Sequence, residues 1–215
     1  MSSAARLQLS RGGARIDRDP AAIASARREF DTTHVLRLPA FIDAALLAEV
    51  QEHIASGAFH TKVHHASGVE MCMESNAAVW LLRFLILSDD VLRAVEAFTG
   101  TPALTSFYGR VYRFEPGTDH RHDWHDDIGD GRELGFSLNV SAAPFEGGAL
   151  QLRERDPERI TATVFNTGPG DAVIFRLGPN VEHQVQGITG SVARTSFAGW
   201  FRSGPDAPPM PRAGG

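Results

Sequence analysis

Beyond Gly100, apolar and polar residues alternate along the chain with a period of two, and this pattern constrains the fold more strongly than any other feature of the sequence. In the segment Leu134–Val140 (LGFSLNV), every second residue is large and apolar, so these side chains would share one face of a strand. Turn sequences such as EPG, GDG, EGG and GPGD separate about eight short segments of this kind, which is typical of a sandwich or closed barrel. We therefore predict an antiparallel, cupin-like jelly roll for the second half of the chain.

Before Gly100, the apolar residues recur at helical spacing instead. Asp43 is placed to cap one such helix, and Ser88 or Asp89 is placed to cap another, which Gly100 would end. These segments predict a layer of N-terminal helices that supports the strands.

The two patterns together predict one α+β domain over residues 21–202. Residues 21–100 would form mainly helical support, and residues 101–202 would form the jelly-roll core. The flanking segments, residues 1–20 and 203–215, lack sustained periodicity or are rich in Pro, Gly, Ala and Ser, so we expect flexible tails there.

Composition excludes several classes of partner. The net charge of −5 and the absence of a Lys/Arg-rich run argue against nucleic acid. The longest apolar run, Ala77–Leu87, contains Arg83 and is too short to cross a bilayer, so no membrane partner is expected. Cys72 is the only cysteine, and the N-terminus lacks the apolar core of a signal peptide, which together predict a reducing, cytoplasmic location.

The stretch DWHDDIGDGRELGFSLNVS crowds acidic residues just before a predicted strand. His125 and Asp127 are two residues apart, so both side chains would point to the same face of an extended segment, as a metal site requires. A pair with this spacing arises readily by chance. A solvated acidic loop is therefore the favoured interpretation of this stretch when it is taken alone.

Distant residues favour the metal site. His183, in PNVEHQV on another predicted strand, could supply a third ligand, although a lone strand histidine is more often core or surface. Two imidazoles and one carboxylate suit ferrous iron in oxygen chemistry. Arg194, in SVARTSFAGWF, has apolar neighbours and is costly to bury without a carboxylate partner, the alternative being an exposed strand arginine.

The segments HDDIGDGRELGFSLN, FEGGALQL, GDAVIF, His183 and RTSFAGWF occur in the order that they take in the 2-oxoglutarate- and Fe(II)-dependent dioxygenases. The chain most resembles the prolyl-hydroxylase-like branch over residues 103–202, with weaker similarity in Phe30–Asp43, which looks like that branch's entry strand and first helix. The resemblance implies a double-stranded β-helix, a distorted jelly roll.

The resemblance also implies roles for single residues. His125, Asp127 and His183 match the iron triad, Arg194 matches the residue that pairs with the distal carboxylate of 2-oxoglutarate, and Ser196 matches the hydroxyl of the R-x-S element. The implied cofactors are Fe(II) and 2-oxoglutarate, with ascorbate as a possible reductant.

The implied reaction hydroxylates an unactivated carbon and releases succinate and CO2. A prolyl residue in a peptide or protein, or a related amino acid, is the first expected substrate. Two alternatives stay open: a tailoring oxygenase of the same superfamily that acts on a small metabolite, and a non-catalytic cupin-like protein that binds a metal or small ligand.

One position departs from the family pattern. Close relatives often carry a tyrosine where this chain has Ser137. Tyr112 and Tyr108 share a parity with Phe114 on the strand entering the site, so either could replace the missing hydroxyl, or both could belong to a packed aromatic stripe. Trp200 is expected in the core.

Other histidines receive no metal role from the sequence. His120 and His122 would share one face, but no cysteine or third partner stands at zinc-like spacing. His60, His64 and His65 lie in a polar stretch between helices, for which we expect a surface loop or, as the alternative, a lid.

Overall fold

The computed structural model describes residues 7–64, 67–165 and 167–204. The predicted C-terminal tail lies almost wholly outside the described residues, as do residues 1–6 of the predicted N-terminal tail and His65.

All four helices precede Gly100 and eight of the strands follow it, as the two periodicities predict, whereas five further strands precede Gly100. The helices are α1 (Pro20–Thr33), α2 (Ala44–Ala55), α3 (Ala77–Ile86) and α4 (Asp89–Thr99). The strands are β1 (Leu7–Ser10), β2 (Gly13–Ile16), β3 (Val35–Leu38), β4 (Phe59–His64), β5 (Gly68–Met73), β6 (Leu104–Phe114), β7 (Arg121–His125), β8 (Arg132–Asn139), β9 (Leu150–Arg155), β10 (Glu158–Val164), β11 (Ala172–Arg176), β12 (Val181–Val185) and β13 (Arg194–Ser203).

The helix ends follow the predicted capping residues. The Asp43 side chain accepts a hydrogen bond from the backbone N–H of Leu46 at 2.8 Å, which satisfies a free donor at the start of α2. Ser88 precedes α4, and Gly100 ends it in the left-handed conformation with φ of 72°, which glycine adopts without a Cβ penalty.

The predicted jelly roll is confirmed. One large sheet has the order β10-β9-β12-β7-β5-β6-β13-β8-β11-β3, with β4 paired to β5, and its named pairs are antiparallel. Eight of its strands, β6 to β13, follow Gly100. The sheet curves into a nearly closed barrel with helices on its outside, so its two faces have different environments.

Successive side chains of a strand point to opposite faces of the sheet, so each strand contributes to both faces. Along β13, Phe197 and Phe201 join the core between the sheet and the helices, which also contains Phe107 and Phe136. A second apolar cluster fills the other face and is formed by Val35, Leu150, Leu152, Val164, Val173, Phe175, Leu177 and Val181. The barrel interior beside this second cluster is open and forms the cavity described below.

Two hairpins lie where the sequence predicts no strands. β1 and β2 pair within the predicted N-terminal tail, and Leu7 and Leu9 are buried in the main core. β4 and β5 form a hairpin where we expected a polar loop or lid between helices, so that expectation is wrong. The pattern of β4 misleads because its cavity-lining residues, Lys62 and His64, are polar, whereas Val63 between them is exposed.

Within the described residues, every helix is too short or too polar to cross a membrane.

Candidate active site

Two strands of the barrel, β7 and β12, and the loop after β7 bring the predicted metal ligands together. β12 pairs with β7 so that His183 lies directly opposite His125. Asp127 follows the end of β7, and its Oδ2 lies 3.8 Å from His125 Nε2 and 3.4 Å from His183 Nε2. One ligand atom from each residue lies within 4.8 Å of the other two, so these side chains could hold a single metal ion.

Neighbouring groups orient His125, at the end of β7, and Asp127, in the loop that follows. His125 Nδ1 lies 2.7 Å from the carbonyl oxygen of Asp123, which leaves Nε2 directed towards the other ligands. Trp200 Nε1 donates a hydrogen bond of 2.8 Å to Asp127 Oδ2. Trp200, expected in the core, is therefore a half-buried wall of the site with a polar contact to a candidate ligand.

The electrostatics of the triad favour the protonation states that a metal needs. Burial alone would raise the pKa of Asp127, but polar contacts with His183 and Trp200 and the nearby His125 hold it well below its usual range. Burial and the neighbouring His183 lower the pKa of His125. A charged carboxylate beside a neutral imidazole is ready to bind a cation.

The crowded acids of this stretch separate into different environments. β7 ends at His125, so Asp127 lies on a loop and strand parity is not what positions it. Asp126 points away from the triad, as expected, and forms an ion pair with Arg155. Asp130 is largely exposed in the turn that leads into β8.

Arg194 lies in the same cavity as the triad. Its guanidinium contacts the hydroxyls of Ser196 at 3.3 Å and Ser137 at 3.5 Å, and it lies over the ring of Phe114. No carboxylate of the described residues lies within ion-pair distance of it. Burial lowers the pKa of Arg194 to about 10, with Glu70 acting in the opposite direction, so it stays charged at neutral pH. The site thus holds a half-buried cation that is free to bind an external anion.

The cavity has a volume of about 310 Å³ and both polar and apolar walls. Tyr112 lines it, and burial raises the pKa of this phenol, so it is a neutral hydrogen-bond donor. Tyr108 is not among the lining residues; it stacks on Trp200 at a ring-centroid distance of 6.4 Å. Of the two tyrosines considered from the sequence, the structure brings only Tyr112 to the cavity.

A second cluster on the cavity wall was missed by sequence reasoning. Glu70 contacts His64 through one carboxylate oxygen and His122 through the other, at nitrogen–oxygen distances of 2.7 and 3.3 Å. Burial alone would raise the pKa of Glu70, but these contacts lower it to about 2. His120 plays no part, since its Nδ1 accepts a hydrogen bond from the backbone of Glu115.

A family model matches the jelly-roll part of the chain. Residues 109–202 match the family model of the 2OG-Fe(II) oxygenase superfamily. Among curated protein sequences, none matches this chain.

Solved structures resemble nearly the whole chain. A prolyl-4-hydroxylase from Pseudomonas putida is 22% identical, with a TM-score of 0.61 over 84% of this chain and 98% of that one. A Trichoplax adhaerens prolyl hydroxylase, in complex with a hypoxia inducible factor oxygen degradation domain peptide fragment, is 14% identical, with a TM-score of 0.63 over 84% and 88%. The non-heme alpha ketoglutarate dependent epimerase SnoN from nogalamycin biosynthesis is 17% identical, with a TM-score of 0.66 over 86% and 82%.

These likenesses confirm the jelly-roll fold, and the family match confirms the resemblance inferred from the sequence. The family match over residues 109–202 agrees with the prediction of a 2-oxoglutarate-dependent non-haem iron oxygenase.

Proposed function

We propose that this chain, whose residues 109–202 match the family model of the 2OG-Fe(II) oxygenase superfamily, is a hydroxylase that uses Fe(II) and 2-oxoglutarate to insert oxygen into an unactivated C–H bond. The observation that carries the proposal is Arg194, a half-buried cation without a carboxylate partner among the described residues, in the same cavity as a two-histidine, one-carboxylate triad.

The triad residues fit Fe(II). His125, Asp127 and His183 offer two imidazole nitrogens and one carboxylate oxygen, the donor set of non-haem iron oxygenases. Nothing in this donor set provides the thiolates typical of structural zinc. Trp200 and the carbonyl of Asp123 would keep the ligands oriented while the metal exchanges.

Arg194 and its neighbours fit 2-oxoglutarate. Arginine binds a carboxylate through two parallel hydrogen bonds, and a dicarboxylate needs a fixed cation at the end far from the metal. Ser196 and Ser137 lie next to the guanidinium and could donate further hydrogen bonds to that carboxylate. Tyr112 is the candidate to supply the phenol hydroxyl that close relatives carry at the position of Ser137.

When bound, Fe(II) and 2-oxoglutarate would supply the oxygen-activating chemistry, in which 2-oxoglutarate and O2 become succinate, CO2 and one oxygen atom for the substrate. This chain's own residues bind and order the reactants. The apolar walls formed by Leu150, Phe175 and Val185 would exclude water from the reaction.

A prolyl residue in a peptide or protein is the first substrate that we propose, because two similar structures are prolyl hydroxylases, one of them with a bound peptide fragment. A small metabolite is the second candidate, supported by the likeness to an enzyme of nogalamycin biosynthesis. Ascorbate would serve as reductant. The single buried cysteine, Cys72, supports a reducing cytoplasmic compartment.

The test separates an oxygenase from a cupin-like binding protein. Under anaerobic conditions, Fe(II) and 2-oxoglutarate together should produce a weak visible charge-transfer band, which the zinc-loaded protein and His183→Ala should lack. Succinate release on adding oxygen, screened against prolyl peptides and small metabolites, should then identify a product heavier by one oxygen atom. Absence of both the band and succinate release would leave only the non-catalytic alternative.

A further inference from the structure

We propose that His64, Glu70 and His122 form a second divalent-metal site, suited to Zn²⁺, on the wall of the cavity that contains the triad. Each residue belongs to a different strand, β4, β5 and β7, so a bound ion would join the β4–β5 hairpin to the strand that carries His125.

The geometry is that of a ligand set. One ligand atom from each residue lies within 4.8 Å of the other two, as in the triad. The two carboxylate oxygens of Glu70 divide between the imidazoles, with Oε1 at 2.7 Å from His64 Nε2 and Oε2 at 3.3 Å from His122 Nε2. Both histidines therefore present Nε2 to the same carboxylate.

Burial and hydrogen bonding favour a cation at this set. Glu70 is 2% exposed, and its ion-pair partners among the described residues are the two histidines themselves. His122 Nε2 is buried and makes no directed hydrogen bond with any described residue, despite its proximity to Glu70. A divalent ion between these atoms would neutralise the carboxylate and give the unsatisfied nitrogen a partner.

The two ligand sets are neighbours but share no residue. His122 precedes His125 on the same strand, and their rings meet edge to face with centroids 5.7 Å apart. Since all three residues of the second set line the cavity, its open coordination position would be reachable from it. Two histidines and a glutamate leave a fourth tetrahedral position on zinc for water or an oxygen group of the substrate.

Metal stoichiometry tests this site without recourse to oxygenase activity. Purified full-length protein would be stripped of metal, dialysed against Zn²⁺ and analysed for bound zinc. We expect two equivalents in the wild type and one each in Glu70→Gln and His183→Ala, which remove the two sets separately. His60→Ala, a histidine of the same β4 strand outside both sets, should retain two.

A second variant protects the test against misfolding, because Glu70 is buried. His64→Gln changes a more exposed ligand and should also bind one equivalent, and circular dichroism would verify the fold of each variant. Cobalt substitution provides a second readout: the visible absorption of His183→Ala should disappear when Glu70→Gln is added. Two equivalents in both Glu70→Gln and His64→Gln, or a single wild-type equivalent that His183→Ala abolishes, would overturn the proposal.

Discussion

At the scale of single residues, two adjacent aspartates illustrate how local chemistry assigns different roles. Asp127 faces both histidines and accepts a hydrogen bond from Trp200, whereas Asp126 is turned towards Arg155 on a neighbouring strand. The first carboxylate is in the cavity and the second forms a partly exposed ion pair, a kind of contact that contributes little to stability.

Asp127→Ala should abolish turnover and iron binding, because it removes the only carboxylate of the triad. Asp126→Ala should leave iron binding nearly intact and change at most substrate handling or loop order. Iron content and succinate release, measured on both variants, check this contrast. The opposite pattern would mean that the ligand is misassigned.

Arg194→Ala should weaken 2-oxoglutarate binding while iron still binds. Truncating one partner of a buried, charge-assisted pair costs about 2–5 kcal/mol, which corresponds to a loss of roughly 30-fold to several-thousand-fold in affinity. The concentration of 2-oxoglutarate at half-saturation measures the effect. Arg202→Ala is the matched control, since Arg202 lies on the same face of β13 outside the cavity. An unchanged half-saturation in Arg194→Ala would assign the distal carboxylate to another residue.

Trp200→Phe should lower the affinity for Fe(II) by about 10–100-fold, the usual effect of removing a hydrogen bond that orients a metal ligand. The substitution keeps an aromatic ring beside Tyr108 and Arg132 but removes the donor to Asp127. Titration of iron into the anaerobic protein measures the change. If affinity is unaltered while thermal stability falls, the indole is only a packing residue.

At the scale of elements, β13 contributes side chains both to the main core and to the cavity. It pairs with β6 on one side and β8 on the other. The backbones of β13 and β6 lie so close together that a Cβ on Gly199 would lie 1.8 Å from the carbonyl oxygen of Tyr108. Because the obstacle is backbone, the strands would have to separate to accommodate a side chain.

Gly199→Ala should therefore destabilise the fold by about 1–3 kcal/mol or more, since overpacking forces backbone shifts. Denaturant unfolding measures the free energy. Gly178→Ala is the control, because a Cβ added there would meet nothing within 4 Å and its φ lies outside the left-handed region. Equal stability of the two variants would contradict the close approach of β13 and β6.

At the scale of the whole molecule, one aromatic core holds the helices against the barrel. Phe107 contacts Phe136, Phe197 and Phe201 at ring-centroid distances of 5.5, 5.9 and 4.8 Å. These residues come from three strands, so the core couples the barrel that carries the site to the helical layer around it.

Phe107→Ala should cost about 3–5 kcal/mol of unfolding free energy, because it leaves a cavity in this core. Phe84→Ala, at a phenylalanine that is 77% exposed on α3, should cost far less. Calorimetry or denaturant unfolding of both variants checks the difference. Similar losses would mean that the helical layer is not held by the aromatic core.

Much of the fold and of the candidate site follows from local spacing. Alternation from Leu134 to Val140 identifies the barrel strands, and the ordered motifs identify His125, Asp127, His183 and Arg194, which the structure brings into one cavity. Strand periodicity can be read from the chain because it is a property of neighbouring residues, whereas the roles of the four site residues are what the resemblance to the dioxygenases implies.

Only the tertiary structure reveals the cluster of His64, Glu70 and His122, and the contact between Trp200 and Asp127. Each depends on which strands pair and in what register, and that is decided by backbone hydrogen bonds between segments far apart in the chain. The sequence by itself therefore determined the alternating strands beyond Gly100 and predicted the residues of the candidate triad. The tertiary structure decided which polar side chains turn inward, because a buried carboxylate is tolerated only where other strands bring it partners.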